Sequence, residues 1–146
     1  MTRKVPSQKS RQDDPVRDYM KSRGVSANVV DAGLAGAVAR WESVAKSVDG
    51  YDLTLDDWLN DMDLRDIIAG ALAAAGEAQR KGVSARLERA DDVFRKATVV
   101  TGPVWGKTVA ASHSHDPART WWYFRLPRNP GETLKADLDA DRRHHR

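Results

Sequence analysis

One segment of the chain carries the ending of a phosphate-binding loop. Residues 101–108 read TGPVWGKT, and Gly106-Lys107-Thr108 match the end of G-x-x-x-x-G-K-[ST], a motif whose backbone N–H groups and lysine hold phosphate. Thr101 stands where the first glycine is required, and only 38 residues follow Thr108, too few for the parallel sheet of such enzymes. Residues 109–112 also look more like a strand than a helix. We therefore predict a kinked strand here and expect no cofactor.

The histidines form a second group that could do chemistry. His113, His115 and Asp116 place two imidazoles and a carboxylate within four residues. Structural zinc sites need four ligands, and the chain has no cysteine and only two further histidines, His144 and His145. General acid–base catalysis would need a partner that orients the imidazole, and the sequence identifies none. We predict a solvated loop and no metal site.

The densest group of carboxylates lies in residues 49–66, where seven aspartates face one arginine. Their spacing does not match a calcium-binding loop, and one helix cannot make them converge. A solvated acidic face and a docking surface for a basic partner both fit this pattern, because like charges on one face steer association. In the docking interpretation Trp58 is an anchor, whereas in the other it is a core residue. The expected partner-binding residues are Asp56, Asp57, Trp58 and Asp61.

Arginines and aromatic residues alternate in RTWWYFRL, residues 119–126, which predicts a strand. Such a face can stack nucleobases and hold phosphates, and Trp, Tyr and Arg also dominate protein interfaces. Burial of the rings under the C-terminal helix is the third interpretation. The residues assigned to a protein or nucleic-acid partner are Arg119, Trp121, Tyr123 and Arg125.

Charge is distributed unevenly along the 146 residues. The whole chain has a net charge of +3, with 24 Lys and Arg against 21 Asp and Glu. Residues 1–13 are predicted to form a flexible basic arm, which could become ordered on an acidic protein or on nucleic acid. The arm residues expected to take part are Arg3, Lys4, Lys9 and Arg11.

Composition excludes several classes of protein. The absence of cysteine excludes disulfides, thiolate metal sites and cysteine nucleophiles. No apolar run approaches the roughly 18 residues that a membrane span needs, and the basic N-terminus lacks the apolar stretch of a secretory signal. We expect a cytoplasmic protein of bacterial type that does not bind a membrane.

The spacing of apolar residues predicts an α+β fold that is mainly helical, with three to four helices and a small C-terminal antiparallel sheet. Residues 14–141 are expected to form a single globular domain. It would contain a helical part at 14–97, a β-hairpin region at 98–127 and a short helix at 132–141, followed by a tail at 142–146. The helical stripe with the clearest start follows Thr54, which forms a T-x-x-D capping pattern with Asp57.

The sequence favours binding over catalysis, because it contains no recognisable catalytic constellation. The first hypothesis is a non-enzymatic interaction or regulatory protein, similar to an antitoxin, inhibitor or adaptor. It would bind a protein partner through the acidic helix and the aromatic and arginine strand face. The alternative is a nucleic-acid-binding module that uses the basic arm and the same strand. A third hypothesis is an enzyme whose site the sequence does not reveal.

Overall fold

A computed structural model describes residues 14–141, and the predicted basic arm and C-terminal tail lie outside this range. The α+β class is confirmed: the described residues are mainly helical and contain a small two-stranded antiparallel sheet. They form six α-helices rather than three or four. The elements in chain order are α1 Pro15–Ser22, α2 Ala27–Lys46, α3 Leu55–Ala74, α4 Glu77–Ala97, β1 Thr98–Val100, α5 Lys107–Ser112, a 3₁₀ helix Trp121–Phe124, β2 Arg125–Pro127 and α6 Glu132–Ala140.

Polar side chains fix the starts of α1 and α3. Asp14 accepts hydrogen bonds from the backbone N–H groups of Val16 and Arg17, so α1 begins directly after it. Thr54 and Asp57 form the predicted capping box, each accepting from the other's backbone N–H. Capping groups of this kind typically contribute about 1 kcal/mol. The sequence therefore fixes where α1 and α3 begin.

One glycine divides α2 into two helical parts. Gly33 has φ +71° and ψ −168°, a conformation that only glycine adopts readily. The residues on either side remain helical, so the element bends there. Val30 and Leu34, which flank the bend, are both buried. Buried apolar residues therefore continue across the change in helix direction.

The core is built around stacked aromatic rings between α2, α3 and α4. Phe94 lies with its ring centroid 4.9 Å from that of Trp41 and 5.6 Å from that of Trp58, and all three side chains are fully buried. A buried ion pair lies beside them. Asp91 accepts two hydrogen bonds from Arg65, at 3.0 and 2.9 Å, and a third from Trp41 Nε1 at 2.9 Å. Three donors satisfy the carboxylate of Asp91, whereas Arg65 Nη1 is buried without a hydrogen-bond partner among the described residues.

The sheet is shorter than the predicted hairpin region. β1 and β2 have three residues each and pair antiparallel, with Val99 opposite Leu126. The 24 residues between the strands fold as α5, the 3₁₀ helix and turns instead of extending the strands. An isolated hairpin is marginally stable in water, and this one packs on α3 and α4 through buried Thr98 and Leu126.

The predicted C-terminal helix is present as α6, and it packs on the start of α3. Leu134 is fully buried, and Asp137 accepts a hydrogen bond from the backbone N–H of Leu55 at 2.9 Å. The backbone N–H of Gly131 donates to the carbonyl of Tyr51 at 2.7 Å. These contacts fix the loop that precedes α3. None of the helices within residues 14–141 combines the length and the apolar composition that crossing a bilayer requires.

Candidate functional site

The predicted acidic docking face does not form as expected around Trp58. That side chain is fully buried and donates through Nε1 to the carbonyl of Arg125 at 3.2 Å, so the prediction that it contacts a partner is wrong. Its large apolar ring gains more by packing on Phe94 than by remaining in water. Asp56 is exposed in the first turn of α3, whereas Asp57 is partly buried and used in the capping box. Two of the four predicted residues therefore have structural roles.

The predicted strand at residues 119–126 is also wrong over most of its length. Residues 121–124 wind into a 3₁₀ helix, and Trp122, Tyr123 and Phe124 are all buried. Four consecutive aromatic residues in a strand would place two rings in solvent, whereas winding the chain buries three of them. Tyr123 is only 2% exposed, so it cannot present its ring to a partner.

The four residues assigned to that strand face separate in the structure. Arg119 is exposed and pairs with Asp116 at 3.6 Å. Trp121 is partly buried and lies near Arg125, whose guanidinium carbon is 6.0 Å from the ring centroid. The predicted arm residues Arg3, Lys4, Lys9 and Arg11 lie outside the described residues. The fold therefore brings together Trp121 and Arg125 only.

The segment that resembles a phosphate-binding loop is not a kinked strand. Helix α5 begins at Lys107, directly after Gly106 with φ +91°, and includes residues 109–112, which were predicted to be extended. Alanine has the highest helix propensity of the amino acids, and Gly106 provides the turn that precedes α5. The two-stranded antiparallel sheet differs from the parallel sheet on which nucleotide-binding loops are built.

A groove runs along the side of α3 that the sequence did not single out, and we call it the acidic groove. Its inner part has a volume of about 700 Å³ and lies between α1, α3, α5 and the 3₁₀ helix. Its outer part, about 480 Å³, continues between α2 and α3. Both parts are lined by Asp63 and Ile67, where they meet. Each part has a volume in the range that is usual for small-molecule sites.

Three aspartates of α3 line the acidic groove, and each is fixed by one donor of the protein. Asp61 Oδ2 accepts from the Tyr51 hydroxyl at 2.6 Å. Asp63 Oδ1 accepts from the Tyr123 hydroxyl at 2.6 Å. Asp66 Oδ2 pairs with Arg23 Nη2 at 3.2 Å. Within residues 14–141 no donor contacts the other oxygen of these three carboxylates.

Three of these groups, Tyr51, Tyr123 and Asp61, have raised pKa values. Burial raises the pKa of Tyr123 and of Tyr51 far above the usual range, and the neighbouring aspartates raise both further. Burial also raises the pKa of Asp61, although the Tyr51 hydrogen bond opposes this shift. Both tyrosines therefore act as hydroxyl donors at neutral pH and cannot act as bases.

Close packing of α1 on α3 positions the arginine of the acidic groove. Tyr19 lies against Gly70, where an added Cβ would be 1.9 Å from the tyrosine oxygen. Only glycine at position 70 allows this approach. The Tyr19 hydroxyl then accepts a hydrogen bond from Arg23 Nη1 at 2.5 Å. Arg23 is thus held between Tyr19 and Asp66.

His113 and His115 border the inner part of the acidic groove. The ring of His115 stacks on that of Tyr123, with the ring centroids 4.0 Å apart. The centroid of the His113 ring lies 5.8 Å from that of His115. His115 Nδ1 is buried and has no hydrogen-bond partner in the described range. Burial lowers the pKa of His115, so the imidazole is neutral at pH 7. Over residues 14–141, no three His, Cys, Asp or Glu residues are placed to hold a metal ion.

Sequence reasoning did not single out several residues of the acidic groove. Asp63 and Asp66 belong to the acidic segment, but the predicted binding residues were Asp56, Asp57, Trp58 and Asp61, of which Asp61 lines the groove. The i, i+3 spacing of Asp63 and Asp66 on a helix is the signal that could have grouped them. Arg23 and Tyr123 are 40 and 60 residues away from Asp63 in sequence, and no local pattern connects them. No family model, curated protein or solved structure matches this chain.

Proposed function

We propose that this protein is a non-enzymatic binding protein whose acidic groove holds a basic, partly apolar segment of a partner protein. An antitoxin, an inhibitor or an adaptor would use such a site. The observation that carries the proposal is the state of Asp61, Asp63 and Asp66. Among the described residues each carboxylate is fixed through one oxygen, and we assign the other oxygen to the ligand. Fixed acceptors favour binding because little side-chain freedom is lost when a cation arrives.

The charge of the acidic groove favours a basic ligand. Its walls contain Asp61, Asp63 and Asp66 against two arginines, Arg23 and Arg40, and His115 is neutral. The net charge along the groove is therefore negative. Complementary charge contributes to the specificity and rate of association, and a lysine or arginine side chain is the natural partner of a carboxylate with an unused oxygen.

The apolar part of the walls supports a protein segment more than a small polar cation. Ile67 and Val109 lie in the inner part, and Val25, Val29 and Val44 lie in the outer part. A segment that alternates cationic and apolar residues would contact both kinds of wall. Helical and extended peptides commonly bind in grooves of this composition.

Several features of the acidic groove support binding rather than turnover. The hydroxyls of Tyr51 and Tyr123 are engaged with aspartates, and Arg23 is paired with Asp66. Among the described residues, no acceptor or donor orients the His115 ring through Nδ1. A general base needs such orientation toward its substrate. We therefore propose a site without catalysis.

The nucleic-acid alternative stays a prediction. Its basic arm lies outside the described residues, and the fold separates Arg119 and Tyr123 from Trp121 and Arg125. Residues 14–141 contain 17 Lys and Arg against 20 Asp and Glu, a net charge of −3. A negative body opposes binding of a polyanion, so the terminal segments would have to supply the attraction.

A peptide-display selection against the full chain tests the proposed function. We expect enriched peptides to contain two or more Lys or Arg residues interspersed with apolar residues. Asp63→Asn and Asp66→Asn should each lower the affinity for a selected peptide about tenfold, since a charge-assisted hydrogen bond is worth about 1.5–3 kcal/mol. Glu88→Gln, at an exposed site on α4, is the matched control and should leave the affinity unchanged.

Two results would contradict this proposal. The first is the absence of any enriched peptide. The second is a selected peptide whose affinity is the same for the wild type, Asp63→Asn and Asp66→Asn. Because asparagine can still accept the Tyr123 hydroxyl, the Asp63→Asn variant is expected to fold. Its circular dichroism and thermal midpoint would confirm folding before the binding is compared.

A further inference from the structure

A second charged surface lies where the end of α4 meets the small sheet. It consists of Arg95, Trp121, Arg125 and Arg128, and we call it the arginine–indole cluster. The guanidinium carbon of Arg95 lies 4.0 Å from the centroid of the Trp121 ring, and that of Arg125 lies 6.0 Å from it. An indole face attracts a cation at such distances. One ring therefore holds two positive charges near each other.

The charges of the arginine–indole cluster have no acidic counterpart in the described part of the chain. Between residues 14 and 141, no carboxylate forms a salt bridge with Arg95, Arg125 or Arg128. Arg65 also lies near the Trp121 ring, at 5.6 Å, but its charge is paired with Asp91. Burial lowers the pKa of Arg125, and the nearby charges of Arg95 and Arg128 lower it further. An anion bound at the cluster would reduce the repulsion between Arg125 and the charges of Arg95 and Arg128.

The arginines are anchored but keep most of their donors unused. Arg125 Nη1 donates to Thr98 Oγ1 at 3.0 Å, and Arg128 Nη2 donates to the carbonyl of Thr98 at 3.2 Å. A longer bond of 3.4 Å joins Arg125 Nη1 to the carbonyl of Arg95. A guanidinium has five N–H donors. In both side chains the remaining nitrogens have no acceptor within the described residues, and Arg128 is exposed to solvent.

We propose that the arginine–indole cluster is a binding site for a phosphate group. Phosphate offers several charged oxygens to neighbouring guanidinium groups, and arginine recognises it with two parallel hydrogen bonds. We take a small phosphorylated molecule or inorganic phosphate as the ligand. Residues 14–141 carry a net charge of −3 and the full chain carries +3, so attraction of a nucleic-acid strand would have to come from the terminal segments. This site is separate from the acidic groove and does not depend on the proposed function.

Inorganic phosphate is the probe that tests the site. It would be titrated into the full chain at constant ionic strength, with chloride replaced by phosphate. We expect a saturable shift of the Nε–Hε NMR signals of Arg95 and Arg125 and a change in Trp121 fluorescence. Trp121→Phe should remove the fluorescence change and keep the arginine NMR shifts.

Variants separate a specific site from a general salt effect. Arg95→Gln and Arg125→Gln should each lower the affinity for phosphate about tenfold, since a hydrogen bond to a charged group is worth about 1.5–3 kcal/mol. Arg119→Gln, where the exposed arginine pairs with Asp116, should bind phosphate like the wild type. A linear response to phosphate without saturation, or equal affinity in Arg125→Gln, would overturn the proposal.

A ten-residue deoxythymidine oligonucleotide distinguishes the source of the phosphate. If the cluster takes small phosphates, the oligonucleotide should bind no more tightly per phosphate than inorganic phosphate does. Tighter binding with a steep dependence on salt, lost in Arg125→Gln, would assign the cluster to a nucleic-acid strand and overturn the small-phosphate form of the proposal.

Discussion

The acidic groove and the arginine–indole cluster hold opposite charges in different ways. In the groove each of three carboxylates already has one donor from the protein, a tyrosine or Arg23. In the cluster three arginines have no carboxylate among the described residues. A ligand of the groove must therefore share acceptors that are partly satisfied, whereas a ligand of the cluster supplies the missing charge. We expect charge to dominate binding at the cluster and shape to contribute more at the groove.

The largest loss of stability is expected when the buried ion pair of Arg65 and Asp91 is broken. Asp91→Asn removes the charge that neutralises Arg65, and both groups are buried. Breaking a buried pair on one side should lower the free energy of unfolding by about 3–5 kcal/mol. Urea denaturation measures this loss. Asp92→Asn, at the exposed neighbouring position, is the matched control, and equal stability of the two variants would show that Arg65 does not need Asp91.

A smaller loss is expected where the groove's own hydrogen bonds are removed. Tyr123→Phe deletes the hydroxyl that donates to Asp63 at 2.6 Å, and the ring remains buried. A hydrogen bond to a charged acceptor is worth about 1.5–3 kcal/mol, so the free energy of unfolding should fall by about 2 kcal/mol. A double-mutant cycle with Asp63→Asn isolates the pair. Additive effects in that cycle would mean that the two side chains do not interact.

Two arginines test the contrast between paired and unpaired charge. Arg86 forms two hydrogen bonds with Glu42, at 3.2 and 2.8 Å, whereas Arg125 lies among cations. Lowering the salt concentration strengthens both attraction and repulsion. The stability of Arg125→Gln relative to the wild type should therefore improve at low salt, and that of Arg86→Gln should worsen. Thermal midpoints at two salt concentrations measure this, and the same sign for both variants would remove the contrast.

The smallest change in stability is expected when the pH is lowered and His115 becomes protonated. The pKa of His115 is lowered by burial and by His113, while the aspartates at positions 63 and 66 oppose this shift. The His115 imidazole therefore takes up its proton at a higher pH in the unfolded chain than in the folded protein. The stability due to neutral His115 is complete above pH about 6.5 and is lost as the pH falls through the lower folded value.

Denaturation curves at pH 7.5 and pH 5 measure this contribution. His115→Gln should lose less stability between the two values than the wild type does, because the residue that resists protonation is gone. His113→Gln is the matched control, since its ring is exposed and should leave most of the pH dependence in place. An unchanged pH dependence in His115→Gln would show that the ring is not the group responsible.

The helices were predictable because their signals are local. The capping box at Thr54 and the cap at Asp14 lie within four residues of the helix starts they fix. The apolar stripes of α3 and α4 also follow from spacing alone. The bend at Gly33 was not predicted, because a glycine inside a helical pattern is compatible with both a straight and a bent helix.

The sites were less predictable because they depend on contacts between distant residues. Alternation in RTWWYFRL indicated a strand, but the core had room for three rings from that segment, and tertiary packing overrode the local pattern. Asp63 meets Tyr123 across 60 residues of sequence, and Trp121 meets Arg95 across 26. Such pairs depend on how the helices pack, which a single sequence does not specify.

Mapping both ligands by amide NMR tests most directly whether the molecule has two separate sites of opposite charge. A basic peptide from the selection should shift amide signals around Asp63, Ile67 and Val109 and leave those of β1 and β2 unchanged. Inorganic phosphate should shift signals around Arg95, Arg125 and Arg128 and leave the groove unchanged. Shifts from both ligands in the same set of residues, or peptide shifts confined to β1 and β2, would contradict the account.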